Sequence, residues 1–271
     1  MRKFLSLIFL VFLLLVSPQA VFAKGKSVRF IQVSDVHYVP ENEQAGVWLK
    51  KLVKEINGTE NVDFVVFTGD NIDSPNPQYL HSFLKIVGKI DRPCYFVIGN
   101  HDVSTNAKLS KSRYLDIIRY HNWFSRAWKP NYTFKKNGFL FVVVDGAKEI
   151  IPGPNGYYKQ DTLAWLDKVL TKNKKKQVII LQHFPLIEPR KMTSHKTYMA
   201  EKYLELLDKH ENVIAVVAGH YHTNHEIMRN GVYHISSPAF AEEPHYFKVI
   251  EVVDGQNLLP MIFTQLREFD L

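Results

Sequence analysis

Residues 216–226, VVAGHYHTNHE, carry an apolar, strand-like run into a glycine and then place three histidines, His220, His222 and His225, within six positions. Imidazoles left without partners at a buried strand end are costly, so they either face solvent or hold something. Working outward, four other apolar runs end in the same way: FIQVSDVH (30–37), FVVFTGD (64–70), YFVIGNHD (95–102) and VIILQHFP (178–185). Ligand-binding loops gather at the carboxyl ends of strands in open α/β sheets. Five such ends, far apart in the chain, can therefore build one site.

The segments between these runs support that reading. VRFIQV, AGVWLKKLVKEI, DFVVFTG, QYLHSFLKIVGKI and CYFVIG alternate strand-like and helix-like patterns, which predicts a βαβαβ unit over residues 28–99. Runs such as DFVVF and CYFVI are apolar without alternation and suit strands covered on both faces. Asn137-Gly138, Asn230-Gly231 and Asp254-Gly255 each lie between strand-like runs and mark antiparallel hairpins. KQDTLAWLDKVL and TYMAEKYLELLDKH read as amphipathic helices. Parallel units mixed with hairpins predict an α/β fold.

The 271 residues are 46% hydrophobic and 23% charged, a composition that can bury a substantial core. At the N-terminus Arg2 and Lys3 precede an apolar run from Phe4 to Val16, with small residues up to Ala23. Residues 1–23 are therefore expected to be a secretory signal, and residues 24–271 one domain. The apolar run is shorter than the ~20 residues of a spanning helix, so no membrane anchor is expected after cleavage. The product would be secreted or periplasmic. Losing Arg2 and Lys3 takes the formal charge from +7 to +5, an excess that favours anionic substrates without implying nucleic acid. Cys94 is the sole cysteine, so no internal disulfide can brace an exported chain.

The strand-end clusters offer Asp35, His37, Asp70, Asn100, His101, Asp102, His183, His220 and His222. This set supplies oxygen and imidazole nitrogen but no sulfur, which suits Zn, Fe or Mn. A carboxylate in its middle can bridge two ions. In order along the chain, DVH (35–37), GD (69–70), GNHD (99–102), His183 and GHYH (219–222) resemble the motif series D-x-H, G-D, G-N-H-[DE], H and G-H-x-H of the calcineurin-like metallophosphoesterases. The resemblance spans roughly residues 27–240.

The resemblance implies two mixed β-sheets packed face to face with helices outside. It implies that Asp35, His37 and His222 hold one metal, that Asn100, His183 and His220 hold a second, and that Asp70 bridges them. It further implies phosphate-ester hydrolysis by a metal-bridging hydroxide, with His101, held by Asp102, as the general acid. His220 and His222 are expected to point the same way from extended backbone. His225 lies outside the motif, and His81, His121, His195, His210, His234 and His245 are expected at the surface or behind the ligands.

Position 73 is Asp where purple acid phosphatases, in the same superfamily, carry a metal-binding tyrosine, and His37 is present where they lack it. GDNIDSP and GNHDVS also depart from the long signatures of the protein phosphatases. The motifs look closer to bacterial cyclic-nucleotide phosphodiesterases of class III. A small-molecule phosphate ester is the expected substrate. A phosphomonoesterase or nucleotide phosphatase would share this core, and a non-catalytic metal-binding protein could use the same scaffold. A nuclease is a further alternative, with the aromatic stretch 119–134 able to stack a base or simply to pack a helix.

Overall fold

The computed structural model describes residues 26–122, 127–255 and 260–269. The expected signal, residues 1–23, and residues 123–126 of the aromatic stretch lie outside the described residues. The βαβαβ unit is present as β1 (Ser27–Val33), α1 (Glu43–Gly58), β2 (Phe64–Phe67), α2 (Pro77–Val87) and β3 (Cys94–Phe96). Its three strands pair in parallel. Asn42 and Asn76 cap α1 and α2 by accepting from backbone N–H groups of the first turn. Inside α1, Leu49, Leu52, Val53 and Ile56 form the buried stripe that the apolar spacing predicts.

Next come α3 (Lys111–His121), β4 (Tyr132–Lys136), β5 (Phe139–Val143), β6 (Gly156–Tyr157), α4 (Gln160–Lys172) and β7 (Val178–Leu181). The chain continues through β8 (Thr197–Tyr198), α5 (Ala200–Leu207), β9 (Val213–Ala218), β10 (His225–Arg229), β11 (Val232–Ser236), β12 (Tyr246–Val253) and β13 (Met261–Glu268). Two hairpins turn as their sequences predict: Asn137 and Gly138 have φ of 49° and 90°, and Asn230 and Gly231 have 48° and 80°. The third differs. β12 and β13 pair from Val253 opposite Met261, so Asp254 and Gly255 do not form a two-residue hairpin turn.

One mixed sheet runs β13-β12-β1-β2-β3 and the other β10-β11-β9-β7-β5-β4. Aromatic contacts join their inner faces: Phe141 of β5 meets Phe30 and Phe64 edge-on, with centroids 5.6 and 4.9 Å apart. Such pairs add about 0.5–1.5 kcal/mol each beyond the area they bury. Polar ties cross the same seam. Gln32 of β1 donates to the Ala218 carbonyl of β9 at 2.7 Å, and buried Lys248 of β12 donates to Glu226 of β10 at 2.6 Å. Strands β1, β2, β3, β7 and β9 therefore deliver their carboxyl ends to one edge of the seam, where each meets a polar cluster. Among the described residues, no helix is long and apolar enough to cross a membrane.

Candidate metal centre

Backbone bonds lock the loops after the strands together in pairs. Asp35 N–H and His37 N–H donate to the carbonyls of Gly69 and Asp70 at 3.1 and 2.9 Å, zipping the loop after β1 to the loop after β2. Gly219 N–H donates to the His183 carbonyl at 3.0 Å, joining the loops after β7 and β9. His220 N–H then donates to the Asp35 carboxylate at 3.0 Å, which closes the two pairs across the sheet seam.

The backbone here is strongly bent. Asp35, His37, Asp70, His220 and His222 have φ of 53°, 44°, 50°, 72° and 51°, all in the left-handed region that non-glycine residues seldom adopt. The expectation of extended backbone at His220 and His222 is thus corrected. Their chain turns sharply after β9, sending His220 against His183 (ring centroids 4.9 Å) and His222 against His37 (5.4 Å). Gly219 has a further reason to be glycine: a Cβ there would stand 1.9 Å from Ser34 Oγ and 2.6 Å from Asp35 Oδ2.

Two donor groups result, with a third overlapping them. Asp35, His37 and His222 present one nitrogen or oxygen each within 4.8 Å of one another, and so do Asp70, His183 and His220; His37, Asp70 and His101 meet the same distance and overlap these two groups. Asp70 Oδ2 lies 3.2 Å from His183 Nε2 and 3.8 Å from His37 Nε2, so it adjoins both groups. Asn100 Oδ1 is 3.1 Å from His183 Nε2 and joins the second. Each group holds one carboxylate and one buried imidazole nitrogen, His37 Nε2 or His220 Nε2, with no hydrogen-bond partner. Two orphaned nitrogens aimed into carboxylate-bearing clusters fit a pair of metal ions.

The outer hydrogen bonds fix which ring nitrogen faces inward. His183 Nδ1 is 2.8 Å from the Thr68 carbonyl and His101 Nδ1 2.6 Å from the Asp73 carbonyl. A carbonyl can only accept, so both rings carry the proton on Nδ1 and turn Nε2 toward the cluster. His222 Nδ1 is 2.6 Å from Glu242 and is oriented likewise. Burial disfavours protonated His183, yet the Asp70 carboxylate outweighs it and lifts the group to about 9. His222 also reaches about 9, burial being outweighed by Asp35 and Glu242. Burial, reinforced by the His183 charge, drops His220 to about 3 and leaves it a neutral donor.

Asp102 does not hold His101, contrary to expectation; the Asp73 carbonyl does. The fully buried Asp102 carboxylate accepts from Gly99 N–H and Asn71 N–H at 2.8 Å each, from Asn71 Nδ2 at 3.1 Å and from Ile72 N–H at 3.3 Å. It braces the two loops that carry Asp70 and Asn100. Asp102→Ala leaves these donors buried without partners at about 1–3 kcal/mol each, so the urea midpoint should fall sharply. Lost activity with an unchanged midpoint would return Asp102 to a role on His101.

Ser34, Asp73 and Glu242, none of them expected as a site residue, each touch the cluster from behind. His195, expected at the surface or behind the ligands, lies tilted against His220 with centroids 5.0 Å apart. His225 opens β10 and joins neither donor group.

A two-sheet α/β fold that gathers carboxylates, imidazoles and an amide at one seam fits a metal-dependent hydrolase. Residues 28–224 match the calcineurin-like phosphoesterase family, and the chain belongs to it. It is 27% identical over 210 residues to a probable glycerophosphodiester phosphodiesterase, GpdQ, of Arcobacter nitrofigilis, covering 71% of each chain. It is 21% identical over 222 residues to the 3',5'-cyclic adenosine monophosphate phosphodiesterase CpdA of Vibrio vulnificus, covering 79% of this chain and 76% of that one. Among solved structures, a dimetal phosphatase from Danio rerio superposes with a TM-score of 0.67 at 19% identity, covering 88% of this chain and 98% of that one.

Proposed function

We propose that this chain is an exported, dinuclear phosphodiesterase acting on a small phosphate ester. The observation that carries the reading is the pair of donor groups that both adjoin Asp70, each with one orphaned imidazole nitrogen. Asp35, His37 and His222 would hold one ion, Asn100, His183 and His220 the other, and Asp70 both. Two divalent ions bound there would supply Lewis acidity at the phosphoryl oxygens and a nucleophile from water near neutral pH. The donor set favours Mn, Fe or Zn.

The chain's own residues divide the remaining work. Asp35 and Asp70 bring about two negative charges against the charge of two divalent ions, leaving the cluster attractive to a phosphate anion. His101 belongs to neither metal set in this scheme. With Nδ1 committed to the Asp73 carbonyl, its Nε2 is free to hand a proton to the departing ester oxygen. The names of the bacterial relatives support a diester substrate over a monoester.

A panel of phosphodiesters and phosphomonoesters assayed with Mn, Fe and Zn should show the diesters turned over with the higher kcat/KM. Monoesters ahead on every metal would replace the diester reading with the phosphatase one. Export is proposed from residues 1–23, and it predicts a mature N-terminus near Lys24 in a bacterial host. N-terminal sequencing that finds intact Met1 in the exported product would overturn it.

A further inference from the structure

A cavity of about 520 Å³ opens beside the metal cluster, with Asn100 and His101 at its inner end. Its chemistry differs from that of the cluster. The hydroxyl residues Ser74 and Ser104 and the apolar rings of Pro75 and Pro152 line it, and the one charged side chain on its wall is Asp73. No lysine or arginine among the described residues lines it, although the whole chain carries a formal charge of +7. The Asp73 side chain is 48% exposed, so its carboxylate is available to a ligand. Its backbone carbonyl meanwhile holds His101 at 2.6 Å, and its carboxylate accepts from Ser74 Oγ at 3.2 Å and lies 3.6 Å from His37 Nδ1.

We infer, resting on the phosphoesterase reading above, that this cavity receives the leaving alcohol and that Asp73 selects alcohols without negative charge. A phosphoryl group on the cluster with its ester oxygen toward His101 directs the rest of the alcohol into this cavity. The volume suits a small alcohol or a nucleoside. Hydroxyl groups and an ammonium find acceptors at Asp73, Ser74 and Ser104. A second phosphate or a carboxylate meets a like charge and no counter-ion. The global positive charge draws the phosphate in, and the local carboxylate sorts what is attached to it.

The test uses the full metal-loaded chain and three phosphate esters matched in shape: choline (cationic), 3,3-dimethylbutanol (neutral) and 4-hydroxy-2,2-dimethylbutyrate (anionic). Each is prepared both as a monoester and as a methyl diester. The expected kcat/KM is equal or higher for the cation relative to the neutral ester, and roughly tenfold lower for the anion, the scale of one partly exposed charge. Dissociation constants of the matching non-hydrolysable phosphonates, read by calorimetry, should follow the same order. Asp73→Asn should shrink the cation-to-anion ratio about tenfold, and Asp73→Glu should keep it. The ratio within one variant is insensitive to metal lost through the 3.6 Å contact of Asp73 with His37. Ser74→Lys, at an exposed position, should turn the preference toward the anion without disturbing that contact. Equal ratios in the wild type and Asp73→Asn, or a wild-type preference for the anion, would overturn the inference. Failure to cleave even nitrophenyl phosphates with both metals bound would defeat the phosphoesterase reading and this inference with it. Cleavage without head-group selectivity would defeat this inference alone.

Discussion

Asp70→Asn should strip both metals at once. Elemental analysis is expected to fall from about two ions per chain to fewer than one, and activity by more than a hundredfold. Losing a residue behind the ligands typically costs 10–100-fold, and Asp70 stands between both groups, 3.2 Å from His183 and 3.8 Å from His37. The amide also removes the charge that lifts His183, so neither half of the cluster keeps its balance. The contrast with Asp35→Asn is informative, because Asp35 belongs to one group only and its loss should mainly weaken that ion. Full metal content and activity in Asp70→Asn would remove the shared position from the scheme.

His101→Gln should retain both metals and lose roughly 10²- to 10⁴-fold in rate on alkyl or nucleoside esters, the range of a general acid. The loss should be distinctly smaller on a nitrophenyl ester, whose leaving oxygen is stable as an anion and needs no proton. His101 N–H donates to Asp70 Oδ1 at 2.8 Å through the backbone, so the substitution leaves that bond in place. Equal losses on both kinds of ester, with metals bound, would assign the residue to orienting the phosphate.

The polar residues of the cluster are legible in the sequence and their supports are not. Strand ends are readable because apolar runs stop at polar clusters, and Asp35, Asp70, His183 and His220 all stand where such runs stop. The Asn-Gly pairs at 137 and 230 specify their turns by conformation alone, independent of the rest of the fold. By contrast, the left-handed backbone at His220 and His222 arises from a tertiary contact, the approach of Ser34 and Asp35 to Gly219, which no local pattern encodes. The exchange of Asp102 for the Asp73 carbonyl has the same origin, since a backbone acceptor leaves no trace in residue types. Glu242 meets His222 across a gap of twenty positions, in a loop without regular pattern. Helix α3 is hard to read from the sequence as well, because its buried Tyr114, Leu115, Ile117 and Ile118 are interrupted by charged residues and its end runs into the aromatic stretch.

The closing bond from His220 to Asp35 spans 185 positions, and the Asp35–His37–His222 and Asp70–His183–His220 groups draw side chains from both sheets. Neither of these two sets can therefore be completed by one half of the chain alone. During folding, closing a loop of that length is slow relative to local helix and hairpin formation. Capture of the metal pair should be among the last events, acting as a timestamp on the finished tertiary structure. A nascent chain still on the ribosome would lack the paired centre, and with it action on an ester, until GHYH emerges.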